Sequence, residues 1–231
     1  MPDLIIKPKN QSGNKLILQD QAGGAVLTTA DSGATFSGGN IGTVTAGTIN
    51  SAVGGALGWR LLETQTVTGT STNEIDIGSA TTLSSSFDDY MIVGTDIQLQ
   101  NAQDLVGKMT IGGTLREGSS YGYSSAGDDA NNDEHSNQNT GASEFFLSSK
   151  TFNNNAYNSA NFKLYFAKPT NTVIYHKVYG VIGFDSSVAW STGATFSATN
   201  HGHTGALTAF RFQASTSGWI TGVCKLYGLE K

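Results

Sequence analysis

Cysteine, proline, charge and long apolar runs are all scarce in this chain of 231 residues. Cys224 is the only cysteine, so one chain can form neither an internal disulfide nor a thiolate metal cluster, and stability has to come from packing or assembly. Charged residues make up 13%, about half the usual globular share, which excludes a coiled coil and a highly charged disordered tail. No stretch approaches the ~18 consecutive apolar residues that span a bilayer. Met1 to Lys9 holds no charged segment leading into an apolar run and a small-residue cleavage site. A chain made in the cytoplasm, soluble and not inserted in a membrane, is the expectation. Positive charge is the scarcer sign: the net charge is −5 at pH 7, against the basic surface that a nucleic-acid partner needs.

What the chain has instead is glycine, 29 residues of it against 3 prolines, and uncharged polar side chains. Ser, Thr and Asn suit the wet faces of strands and the loops between them, and the length is enough to bury a sizeable core.

Composition changes at Trp59. From Gly23 to Gly58 the only charge is Asp31, and Gly42-Thr43-Val44 echoes as Gly47-Thr48-Ile49 in a stretch of Gly, Thr, Ala and β-branched residues. Short strands are expected at 4–6, 15–18 and 25–28, with turn residues at 10–14 and at Gly23-Gly24. So few large apolar side chains cannot repay the ordering entropy of residues 1–58 alone, so this segment needs neighbours. It reads as an extended, short-strand attachment and stalk segment. Its apolar anchors would be Leu4, Ile5, Ile6, Leu16, Ile17 and Leu18, joined to a base by strand pairing.

Residues 59–231 read as an antiparallel β-sandwich of the jelly-roll kind. Alternation is clear in Glu74-Ile75-Asp76-Ile77 and Asp96-Ile97-Gln98-Leu99-Gln100. Further strands are expected at 60–67, 90–93, 108–111, 144–147, 161–166, 173–184, 189–199, 207–213 and 220–229, with Gly, Asn, Asp or Ser between them and no helical period. The exception is 117–143, rich in Gly, Ser, Asn and Asp, which reads as one long loop.

Several patterns bear on chemistry. Gly118-Ser119-Ser120-Tyr121-Gly122 matches G-x-S-x-G, but no helix is expected after it, and the pattern arises easily in a chain rich in Gly and Ser. Asp128, Asp129, Asn131, Asp133 and Glu134 gather the oxygen ligands that Ca²⁺ favours, yet an EF-hand starting at Asp129 would need Gly where Glu134 stands. His201 and His203 lie two apart, on one side of an extended segment, and so are candidate ligands for a transition metal. The adjacent pairs Asp88-Asp89 and Asp128-Asp129 point to opposite sides of an extended chain and cannot share a glycosidic bond. Tyr121 and Tyr123 are the candidate platforms for a sugar, because an aromatic face stacks on sugar C–H groups. No cofactor is expected.

Three motifs carry a resemblance. The opening Leu4-Ile5-Ile6-Lys7-Pro8 with Gly13 to Asp20 and Gly23 to Thr29 resembles the N-terminus of virion structural and fibre proteins of marine tailed bacteriophages. Trp59-Arg60-Leu61-Leu62, Phe87 to Val93 and Cys224-Lys225-Leu226-Tyr227-Gly228-Leu229 resemble a β domain that recurs at the ends of such fibres. The resemblance implies a homotrimeric projection on the virion surface, synthesised in the host cytoplasm. An N-terminal segment would be fixed to capsid or tail proteins, with a β-sandwich head outward. The expectation is a non-enzymatic structural protein: a short head or tail fibre, or a capsid decoration. The alternative is a receptor-binding head that touches host surface glycans through 117–143; the remote alternative is an esterase or glycan depolymerase built on Ser120.

Overall fold

A computed structural model describes residues 17–19, 25–30, 33–36, 58–69, 71–131, 133–152, 159–185, 192–216 and 218–230. The described residues form strands and turns without a helix. By contact the chain divides into two units, Met1–Asn50 and Ser51–Lys231.

The first unit holds an antiparallel sheet of three strands in sequence order, β1 (Ile17–Gln19), β2 (Ala25–Ala30) and β3 (Gly33–Phe36). Leu27 is the pivot of its register, opposite Leu18 on one side and Phe36 on the other. The strand expected at 4–6 lies outside the described residues, and β3 emerges from the Gly/Thr-rich stretch.

The second unit is an antiparallel β-sandwich. One layer comprises β11 (Phe145–Phe146), β7 (Leu105–Ile111), β15 (Leu207–Ala214) and β5 (Glu74–Ile77) in that order, with β8 (Thr114–Leu115) on β7. The other layer has eight strands in the order β10 (Glu134–Ala142), β9 (Tyr121–Asp129), β14 (Thr192–Asn200), β13 (Lys177–Phe184), β12 (Ala160–Ala167), β6 (Phe87–Leu99), β16 (Ile220–Glu230) and β4 (Trp59–Val67). Alternate residues of both layers meet in the core. Aromatic pairs join them: Phe162 to Phe212 at 4.9 Å, Phe166 to Phe210 at 4.8 Å and Tyr121 to Phe145 at 5.7 Å between ring centroids. Cys224 sits there as a small apolar side chain, its thiol pushed up to about 12 by burial.

Residues 117–143 are a correction. Instead of a long loop they hold β9 and β10, paired as a hairpin. Strand propensity missed it because tertiary placement selects small residues there. β9 lies between β10 and β14, where a Cβ on Gly127 would stand 1.9 Å from the carbonyl oxygen of Gly193. β10 closes the sheet edge with polar residues, which discourages further strand addition. Two smaller corrections concern ends. The segments 90–93 and 96–100 belong largely to one strand, β6, with Asp96 at φ 54° marking an irregularity; β13 begins at Lys177, leaving 173–176 outside it.

Candidate functional site

The acidic cluster of 128–134 is divided by strand alternation. Asp128 and Glu134 pair directly across the hairpin and point to solvent, whereas Asp129 points inward and is buried. Its carboxylate accepts hydrogen bonds from the amides of Asn131 and Asp133, from His135 Nε2 at 2.9 Å and from Lys150 Nζ at 3.0 Å. The His135 bond, ahead of those from Lys150 and the amides, holds the Asp129 carboxyl well below the usual range. The cluster therefore forms a hairpin clasp whose central carboxylate is already occupied by His135, Lys150 and two backbone amides, with Asp128 and Glu134 on the opposite face of the hairpin.

Ser120 directly precedes β9, so the G-x-S-x-G motif occupies a coil-to-strand junction. Its hydroxyl donates to the carbonyl of Glu117 at 2.6 Å and lies 3.2 Å from His203 Nε2. Because the hydroxyl proton is committed to Glu117, His203 Nε2 donates to Ser120 Oγ, the reverse of what a general base requires. His201 turns away from this contact: its ring lies against Gly122, and Tyr175 is 6.3 Å from it. The two imidazoles thus engage different neighbours. Among the described residues no group of three or more His, Cys, Asp and Glu side chains could hold a metal ion.

Tyr121 and Tyr123 are core residues, 0% and 9% exposed. The Tyr121 hydroxyl accepts from the Met109 amide at 2.7 Å and donates to the Arg116 carbonyl at 3.1 Å; burial raises its pKa. Tyr123 donates to Asn137 at 3.0 Å and stacks on Phe146. Neither ring offers a face to a sugar, which corrects their expected role as glycan contacts. Of the expected attachment residues, Leu4, Ile5, Ile6 and Leu16 lie outside the described residues, while Ile17 and Leu18 belong to β1.

The feature that sequence reasoning missed is the outer face of the eight-stranded sheet. One row of paired residues crosses it as Gln138, Ser124, Ser197, Tyr179, Tyr165, Met91, Tyr227 and Leu61. Tyr179 is 61% and Leu61 50% exposed; Tyr165 and Tyr179 stack at 5.5 Å, and Trp59 approaches Tyr165 at 6.2 Å. The adjacent row contributes Val181, Lys163, Val93 and Lys225. A signal was present in β13: Val178, Ile182 and Phe184 face the core while Tyr179 and Val181 face outward, and apolar residues on both faces mark a strand covered on both sides. The outer face of the smaller layer is the opposite in character, with Arg211 paired to Asp76 and Glu74 at 2.7–2.8 Å and Lys108 to Glu117 at 2.8 Å.

Comparison with known proteins gives no match to a family model, to a curated protein or to a solved structure.

Proposed function

We propose that this chain is a non-enzymatic structural subunit of a bacteriophage virion: a short homotrimeric projection, on the head or the tail, with an N-terminal attachment segment and a β-sandwich head. One observation carries the reading. The three head motifs that resemble virion fibre proteins are hydrogen-bonded neighbours, the strands β6, β16 and β4 at one end of the large sheet. Leu229 pairs with both Trp59 and Asp89, and Tyr227 with both Leu61 and Met91. Motifs dispersed over the chain thus compose one structural unit, as expected of residues held for architecture rather than for chemistry. The side chains of the chemical motifs, Asp129, Ser120 and His203, support the same reading by bonding within the hairpin and its adjoining turns.

In this role the mechanism is mechanical. The head is a rigid two-layer sandwich, and attachment at the base relies on strand pairing to capsid or tail proteins, repeated threefold so that avidity multiplies a modest single contact. Gold-labelled antibody against this protein, applied to intact particles and viewed by electron microscopy, tests the assignment: label at one fixed position on the virion supports it, and particles that carry none of the protein overturn it.

A further inference from the structure

We propose that the outer face of the eight-stranded sheet is the surface on which copies of this chain pack against one another. The inference rests on the homo-oligomeric reading above and names the face responsible.

The face has relief. Its β13-β12-β6-β16-β4 side carries large side chains, Tyr179, Val181, Tyr165, Met91, Tyr227 and Trp59, and forms a ridge. Its β10-β9-β14 side carries Ser136, Ala126, Thr195, Ser124 and Ser197, and forms a trough. An open cleft of about 420 Å³ runs along the step between them, lined by Tyr165, Tyr179 and Val181 on one flank and Ser124, Ala126 and Thr195 on the other. The ridge spans five strands and the trough three, so each copy seats the part of its ridge nearest the step, Tyr179, Val181 and Tyr165, on the small side chains of its neighbour while offering its own trough to a ridge. Head-to-tail contacts of this kind build a ring when the rotation between copies closes, which is what the trimer of this proposal requires.

Charge favours a second copy of this chain as the occupant. The ridge side carries Lys163, Lys177 and Lys225 against the carboxylate of Asp89, and the trough side carries Asp128 and Glu134 opposite each other. Among the described residues neither the three lysines nor Asp128 and Glu134 have an ion-pair partner within 4 Å, whereas Arg211, Glu74 and Asp76 on the smaller layer are already paired. A basic ridge meeting an acidic-edged trough is complementary only between chains.

Size agrees. With strands ~4.8 Å apart and alternate residues ~6.8 Å apart, eight strands and four rows cover roughly 34 by 20 Å. That flat area of about 700 Å² is near the ~800 Å² per partner of a standard stable interface. The aliphatic members, Leu61, Met91, Val93 and Val181, argue for protein rather than a glycan, whose recognition needs hydrogen-bonding groups among the rings.

The test uses the full chain and light scattering across a dilution series. Tyr179→Ser with Val181→Ser, both at exposed positions, is expected to raise the concentration at which the assembly dissociates at least tenfold without changing the melting of the sandwich. Lys163→Glu with Lys225→Glu, and separately Asp128→Lys with Glu134→Lys, are expected to weaken assembly, and the chain that carries all four substitutions to regain self-association. If every variant dissociates like the wild type, the inference falls while the projection reading stands, because the N-terminal segment then holds the copies together. Charge variants that weaken assembly, with no recovery in the chain that carries all four substitutions, also overturn the pairing. A wild-type chain that stays monomeric overturns both readings and leaves this face to another protein or to a glycan.

Discussion

The ring of Phe162 lies directly over Gly94 of the neighbouring strand, so close that a Cβ on Gly94 would stand 2.1 Å from the Phe162 Cε1. Phe162 in turn packs on Phe212 of the opposite layer. Glycine in mid-strand is here a packing requirement: it lets an aromatic ring of β12 cross β6 and reach the other sheet. Gly94→Ala is expected to cost about 1–3 kcal/mol by overpacking. Urea unfolding measures it, and an unchanged midpoint would mean that Phe162 does not bridge the layers at this point.

The Asp129 clasp makes a pH prediction. Its folded-state pKa is depressed below the ordinary aspartate value of 3.8, chiefly by the His135 bond, so its contribution is complete above that value and is lost as pH falls through it toward the lower folded value. Stability of the wild type should therefore decline on acidification below about pH 4, and Asp129→Asn should flatten that decline while lowering stability at neutral pH. Parallel acid limbs in the two proteins would remove the clasp from the account.

Tyr121 is expected to behave as a buried hydrogen-bonding core residue. Tyr121→Phe leaves the Met109 amide and the Arg116 carbonyl without this partner, at a cost of about 1–3 kcal/mol. Thermal unfolding measured against the wild type checks this; an equal stability would indicate that the hydroxyl faces water.

How far the sequence showed this fold depends on what each strand packs against. Alternation exposed β5 and most of β4, β12, β15 and β16, whose core-facing residues are mainly Ile, Leu and Phe. It failed for β9 and β10, because β9 is built from small and polar residues, with Gly127 required where the carbonyl of Gly193 leaves no room for a side chain, and β10 is an edge of Ser, Asn and Gln. At the candidate surface the obstacle was different. Tyr179 and Tyr165 stack at 5.5 Å yet belong to separate strands, and only register shows that they share a row with Met91, Tyr227 and Leu61. Burial of Tyr121 and Tyr123 was likewise decided by register, since the sequence around them looks like a loop.

Ser120 is expected to be unreactive. With its hydroxyl donating to Glu117 and His203 acting as donor, a fluorophosphonate probe should leave the protein unmodified at neutral pH. Covalent labelling of Ser120, abolished by Ser120→Ala, would instead establish a nucleophile and reopen hydrolytic chemistry.

The central claim is a homotrimeric, non-enzymatic projection, and the molar mass of the purified full chain in solution tests it most directly. Light scattering at micromolar concentration is predicted to give three times the 24.2 kDa chain mass. A stable species of 24.2 kDa would contradict it.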